Sequence, residues 1–187
     1  MSLPSRLGLG ALSLLIATGF VVAVPNPANA HTVEQTSLST GVEALDACPV
    51  PGGSDFVDSW GDARSGGRRH QGVDVAADRG TPVVAVSDGE AEFKRSNLGG
   101  NSIWLVTSSG ERFFYAHLDS WEGSSRKVTA GEVVGYVGSS GNARGNHLHF
   151  ETHAGDRPVN PYPLVETACS VSAQEFAPAF GRRIILR

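Results

Sequence analysis

Over residues 82–153 the chain alternates apolar and polar positions in short runs. The segments "PVVAV" (82–86), "EAEFKR" (90–95), "NSIWLVT" (101–107), "ERFFYAHL" (111–118), "VVGYVG" (133–138) and "HLHFETH" (147–153) are rich in β-branched and aromatic residues. Asp88-Gly89, Gly99-Gly100, Ser109-Gly110, Ala130-Gly131 and Ser140-Gly141 stand between them. Such runs between glycine turns predict strands. Between Cys48 and Leu164 no longer window repeats its apolar positions at helical spacing. The pattern therefore predicts an all-β domain. Residues 170–187 are expected to form a C-terminal tail with one short helix or strand; its "GRRIILR" ending carries no assigned role.

The first 30 residues follow a different pattern. Arg6 precedes an uncharged apolar run, Leu7 to Val24, then Pro25 and Pro27, then Ala28-Asn29-Ala30. This order predicts a secretory signal over residues 1–30, cleaved after Ala30. The apolar run is just long enough for a retained membrane anchor to be the competing reading. The residue directly after the cleavage site is His31 and not a cysteine, so nothing points to lipidation. Residues 31–47 are polar and read as a short leader or linker. After cleavage the protein is expected outside the cytoplasm, without a membrane contact, and as a monomer. The formal charge of the whole chain is −4, and loss of Arg6 makes it −5. That balance gives no support for nucleic-acid binding, which needs a basic face. Cys48 and Cys169 lie 121 positions apart. An even cysteine count in an exported chain predicts a disulfide, here closing a domain over residues 48–169.

Candidate chemistry sits on histidines. In "NHLHFET" (146–152), His147, His149 and Glu151 share one strand face, and Leu148 and Phe150 share the other, toward the core. Alone, such a pair is a weak signal. In "RRHQGVDVA", His70 and Asp74 also share a face if the segment is extended, as Gly72, Val73 and Val75 suggest, and Gly72 leaves room for an ion. His117 ends an aromatic strand in step with Phe113 and Tyr115. Four of the six histidines thus fall in three strand-like segments beside turns. A catalytic zinc site needs three N or O ligands and an open position. His70, Asp74 and one histidine of the pair would supply that set, freeing the other two histidines for proton transfer and charge stabilisation.

The segments "HQGVDVAADRGTPVVAV", "YAHL", "VTAGEVVGYVGSSG" and "GNHLHFE" resemble, in that order, the signatures of the lysostaphin/LytM-type zinc endopeptidases, over roughly residues 50–164. The resemblance implies a small, mostly antiparallel β-sandwich or barrel-sandwich hybrid with a zinc-bearing groove. It implies one Zn2+ held by His70, Asp74 and His149. It implies His147 as general base toward the attacking water, and His117 as the second active-site histidine. The substrate class implied is the cross-link or stem peptides of bacterial peptidoglycan, reached by a secreted, wall-associated enzyme. Asn146 departs from the pattern, since a proline often precedes the first histidine of the pair.

Several residues keep two readings. Glu151 is either a partner of a metal ligand or an ordinary strand carboxylate, and His153 is expected to be solvated. Arg64, Arg68 and Arg69 are candidates for touching substrate carboxylates. Lys94 lies within a predicted strand, which excludes a lipoyl-type carrier role. The alternative to an endopeptidase is a non-catalytic wall-binding or regulatory domain that keeps zinc for structure; a zinc peptidase acting on ordinary proteins is a third reading.

Overall fold

In a computed structural model of the chain, which describes residues 41–53 and 55–175, the alternating segments pair into two antiparallel sheets. The strands are β1 (Val73–Ala76), β2 (Pro82–Val84), β3 (Gly89–Ser96), β4 (Gly100–Val106), β5 (Glu111–Leu118), β6 (Ser120–Trp121), β7 (Arg126–Val128), β8 (Val133–Tyr136), β9 (His147–Ala154) and β10 (Arg157–Val159). The larger sheet runs β1-β9-β5-β4-β3-β7, with β10 beside the far end of β9, and the smaller runs β2-β8-β6. Both are open paths, so the two layers make a sandwich and not a closed barrel. Each of the six segments read from the pattern overlaps a strand.

One face of the larger sheet carries Val73, Val75, Ile103, Leu105, Phe113, Tyr115, Leu148 and Phe150, all buried together with Val83, Val134 and Val137 of the smaller layer. Phe113 stacks on Phe150 at 6.1 Å between ring centroids, and Tyr115 meets Phe150 edge-on at 5.2 Å. The Val86 amide donates to the fully buried Tyr115 hydroxyl at 2.9 Å, which joins β5 to the end of the other layer. Burial of this face satisfies the apolar half of each strand and leaves the other face free to carry polar groups.

The helix α1 (Tyr162–Glu175) starts earlier than expected and runs across the anticipated 169/170 boundary. Over residues 162–170 the helix buries Val165, Ala168 and Cys169, an apolar stripe that does not mark where it begins. The start is set instead by Asn160, whose Oδ1 accepts from the Tyr162 amide at 2.9 Å, and by Pro163 in the first turn. Residues 41–47 of the expected leader also belong to the domain. Val42 and Leu45 are buried, and the Asp46 amide donates to the Val86 carbonyl at 2.8 Å. The expected signal, residues 31–40 of the leader and the "GRRIILR" ending lie outside the described residues. Among those described, no helix is long and apolar enough to cross a membrane.

Cys48 and Cys169 form the expected disulfide, S–S 2.03 Å, tying α1 to the segment before β1. Its loop spans 121 residues, which the chain-entropy view equates with about 4–5 kcal/mol. Reduction, or a Cys48→Ala/Cys169→Ala pair, is expected to lower the urea midpoint by an amount equivalent to several kcal/mol; an unchanged midpoint in the reduced protein would contradict this.

Candidate metal centre

β9 lies between β1 and β5, and its register decides what meets on the polar face. Asp74 is directly opposite His149 across the β1–β9 pair, and Ala116 is opposite His149 on the β5 side. Leu148 and Phe150 point into the core, so His147, His149, Glu151 and His153 all line the other face. His70 reaches the same place from the turn before β1. Gly72 makes this approach possible, although not by leaving a space for an ion. A Cβ there would sit 2.4 Å from the Phe150 carbonyl oxygen and 2.8 Å from His149 Cε1. The glycine lets β1 lie against β9 and the His149 ring.

Three donor atoms converge. His70 Nε2 is 3.1 Å from Asp74 Oδ1 and 3.0 Å from His149 Nδ1, and the latter is 2.9 Å from Asp74 Oδ1. Ring tautomers follow from the outer partners, because a carbonyl only accepts. His70 Nδ1–H donates to the Ser59 carbonyl at 3.0 Å, which turns an Nε2 lone pair inward. His149 Nε2–H donates to Glu151 Oε1 at 2.8 Å, which turns an Nδ1 lone pair inward. Two lone pairs and a carboxylate oxygen about 3 Å apart repel one another unless a cation or a proton lies among them. The triangle is close to one face of a tetrahedral zinc shell, whose donors at about 2.0–2.1 Å from the metal are about 3.3 Å apart. The donor set therefore fits the ion. Without it a proton serves. Burial alone would lower the His149 pKa, but hydrogen bonds to Asp74 and Glu151 outweigh burial and push it up to about 9. Burial likewise opposes ionisation of Asp74, yet the His149 and His70 rings against it hold its carboxyl well below the usual carboxylate range.

His147 and His117 flank the triangle. His147 Nε2 is 3.8 Å from Asp74 Oδ1, and its Nδ1–H donates to the Gly145 carbonyl at 3.1 Å. The His117 ring lies 4.9 Å from His147 and 5.9 Å from His149 between centroids, and its Nδ1–H donates to the Ser140 carbonyl at 2.9 Å. Strict alternation would have put His117 with Phe113 and Tyr115, in the core. A register shift between β4 and β5, with Asn101 opposite Leu118 but Ile103 opposite Tyr115, inserts an extra residue on β5. His117 absorbs it in the left-handed region, φ 65°, and so turns into the groove beside Phe114 and Ala116. Among the described residues it is the one non-glycine with positive φ, a conformation that costs free energy and that the Ser140 and Gly99 contacts hold. Burial pushes the His117 pKa down to about 4 despite the Ser140 carbonyl, so the ring is neutral at pH 7.

Glu151, which the sequence left with two readings, and His153, expected to be solvated, are both part of this network. Glu151 is buried and bridges the two rings, accepting from His149 Nε2 and, at 2.7 Å, from His153 Nε2. His153 is 7% exposed and edge-on to Trp104, so it is not solvated. Arg64 Nη2 donates to Asp74 Oδ2 at 2.7 Å, on the carboxylate oxygen that faces away from the triangle. All these groups open into a groove of about 1130 Å³ floored by Trp104 and Phe114. Residues 41–47 do not line it.

The sequence model of peptidase family M23 matches residues 68–161. The DD-carboxypeptidase/endopeptidase Mpg of Neisseria meningitidis is 43% identical over 95 residues, covering 50% of this chain and 22% of that protein. Lysostaphin of Staphylococcus simulans is 36% identical over 110 residues, covering 54% of this chain and 22% of that one. The chain thus spans less than a quarter of the length of either relative. Among solved structures, the catalytic domain of S. simulans lysostaphin is similar with a TM-score of 0.54 and 33% identity, covering 60% of this chain and 92% of that one. A zinc-containing peptidase from Vibrio cholerae gives a TM-score of 0.56 and 27% identity, covering 63% of this chain and 39% of that one.

Two outcomes follow from the donor network. Glu151→Gln keeps the shape but weakens the acceptor for His149, so zinc affinity is expected to fall by about 10–100-fold in chelator competition. Zinc must displace the His149 proton, so affinity is expected to rise about tenfold per pH unit through neutrality and to level off above about 9. A flat profile between pH 6.5 and 8.5 would exclude that proton.

Proposed function

The chain belongs to peptidase family M23, and from that membership we propose that it is an exported zinc metallo-endopeptidase hydrolysing amide bonds in the cross-link or stem peptides of bacterial peptidoglycan. The observation that carries the reading is the triangle of His70 Nε2, Asp74 Oδ1 and His149 Nδ1 with two further histidines beside it. One zinc ion would be held by these three residues, and as a Lewis acid it would lower the pKa of water and polarise the scissile carbonyl. Export rests on the apolar run Leu7 to Val24 and the cleavage pattern ending at Ala30, and placement at the cell wall rests on the substrate proposed.

The remaining steps belong to His147 and His117. Both spend Nδ1–H on a backbone carbonyl, which leaves Nε2 of each ring to face the groove. His147, nearer Asp74, takes the proton of the attacking water and passes it to the leaving amine. His117, neutral at pH 7, accepts a hydrogen bond and so orients the water. It donates to the developing oxyanion only after gaining a proton. That ordering refines the expectation that it simply holds charge on the carbonyl oxygen. Asp74 leaves the centre with net positive charge, and Arg64 on its outer oxygen draws its charge density outward.

A zinc-keeping, non-catalytic wall-binding domain is the alternative. Closed structural sites use four protein ligands. The described residues bring three donors together, with His147 Nε2 outside their triangle, which favours the enzyme.

The test is mass analysis of purified peptidoglycan incubated with the zinc-loaded protein, with and without chelator. New amino termini that disappear with chelator are expected, together with identification of the bond. His147→Ala and His117→Ala are each expected to lose turnover, by at least about 100-fold, while retaining zinc. Loss of zinc from His147→Ala would make it a fourth ligand and support the structural alternative.

A further inference from the structure

The groove around the metal centre carries charge of the opposite sign to the chain as a whole. The chain has 19 acidic and 15 basic residues, a net −4. Yet the groove is lined by Arg64, Arg68, Arg69 and Arg144, against Asp74 and Glu151 alone. Both carboxylates are already committed, Asp74 to Arg64 and the ligand histidines, Glu151 to His149 and His153. Elsewhere Arg79, Arg112 and Arg126 are paired with Asp119, Asp156 and Glu132, while Arg95 donates to Asn101 Oδ1. Of the four groove arginines, Arg64 alone pairs with a carboxylate, Asp74, among the described residues. Arg68 donates only to the Ser65 carbonyl and hydroxyl, and Arg69 only to the Gly61 carbonyl. No carboxylate pairs with Arg68, Arg69 or Arg144 among the described residues.

These guanidiniums come from two separate segments of the chain. Arg68 and Arg69 precede the ligand His70, and Arg144 lies on the loop between β8 and β9, three residues before His147. In a cleft, such uncancelled charge focuses field toward an anionic ligand, and guanidinium forks match carboxylates. We propose that this groove selects peptides bearing free carboxylates near the scissile amide, and discriminates against neutral bridges such as oligoglycine and against amidated stems. The proposal rests on the peptidoglycan reading and names its substrate class. An uncharged bridge would leave three guanidiniums without a counter-charge and would gain nothing from them.

The experiment measures binding apart from turnover. The probe is an uncross-linked stem tripeptide, L-Ala-γ-D-Glu-L-Lys with both carboxylates free, set against the same peptide with both amidated, each titrated into the zinc-loaded full chain. At 50 mM salt the free-carboxylate peptide is expected to bind at least about tenfold tighter, and the gap should shrink at 500 mM as screening shortens the reach of the charges. Arg68→Gln/Arg69→Gln/Arg144→Gln is expected to erase the gap while leaving zinc content and amidated-peptide affinity unchanged. Equal affinities in the parent, or a gap that survives the triple substitution, would overturn the proposal. The two readings fail separately. Peptidoglycan left intact with the carboxylate preference present would overturn hydrolysis alone; digestion without any preference would overturn the selectivity alone.

Discussion

The register between β1 and β9 is the constraint on which the centre depends. Asp74 and His149 face each other across that pair, and every donor distance in the triangle follows from it. A strand has a side-chain period of two, so a slip of one residue would send His147 and His149 into the core and Leu148 and Phe150 into the groove. The buried pair Leu148 and Phe150, packed with Phe113 and Tyr115, opposes that slip. Gly72 opposes it from the other side, since only a residue without Cβ allows β1 to lie this close to the Phe150 carbonyl. Hydrophobic burial on one face thus sets metal geometry on the other.

Outside the three donors, a layer of hydrogen bonds decides which ring atoms are available. Ser59, Gly145 and Ser140 each accept from a histidine Nδ1–H, and Glu151 accepts from Nε2–H of His149. The consequence is a division of labour among chemically identical rings. His70 and His149 turn lone pairs toward each other, and His147 and His117 turn theirs toward the open groove. The same residue type therefore turns a lone pair to the donor triangle or to the groove according to the acceptor behind it and the strand position that carries it.

The strands and the histidine clusters were legible because each depends on local periodicity. β9 could be read to its faces: the apolar partners of the histidine pair are core, and the pair lines the groove. The disulfide was legible from cysteine count and expected compartment. His117 was the instructive case. Its membership in the site came from the resemblance, but alternation assigned it to the wrong face, because a bulge is a cross-strand event that leaves no mark in the bulged strand alone. α1 was hidden for a different reason: its start is set by the Asn160 side chain and a proline in the first turn, not by an apolar period. His153 was read as solvated because Trp104, which covers it, lies on a strand far away in sequence.

By itself, then, the sequence determined the alternating strands, the residue types able to hold a divalent ion, and their distribution over three segments, since these need only side-chain chemistry and near-neighbour spacing. It also carried the likeness to a peptidase family in motifs that survive as linear text. Tertiary structure alone decided which nitrogen of each ring faces inward, that Glu151 links His149 to His153, that residues 41–47 join the domain, and that four arginines collect around one groove. Those facts arise from pairs of residues distant along the chain, and distance in space is set by strand order and core packing, not by any local run of letters.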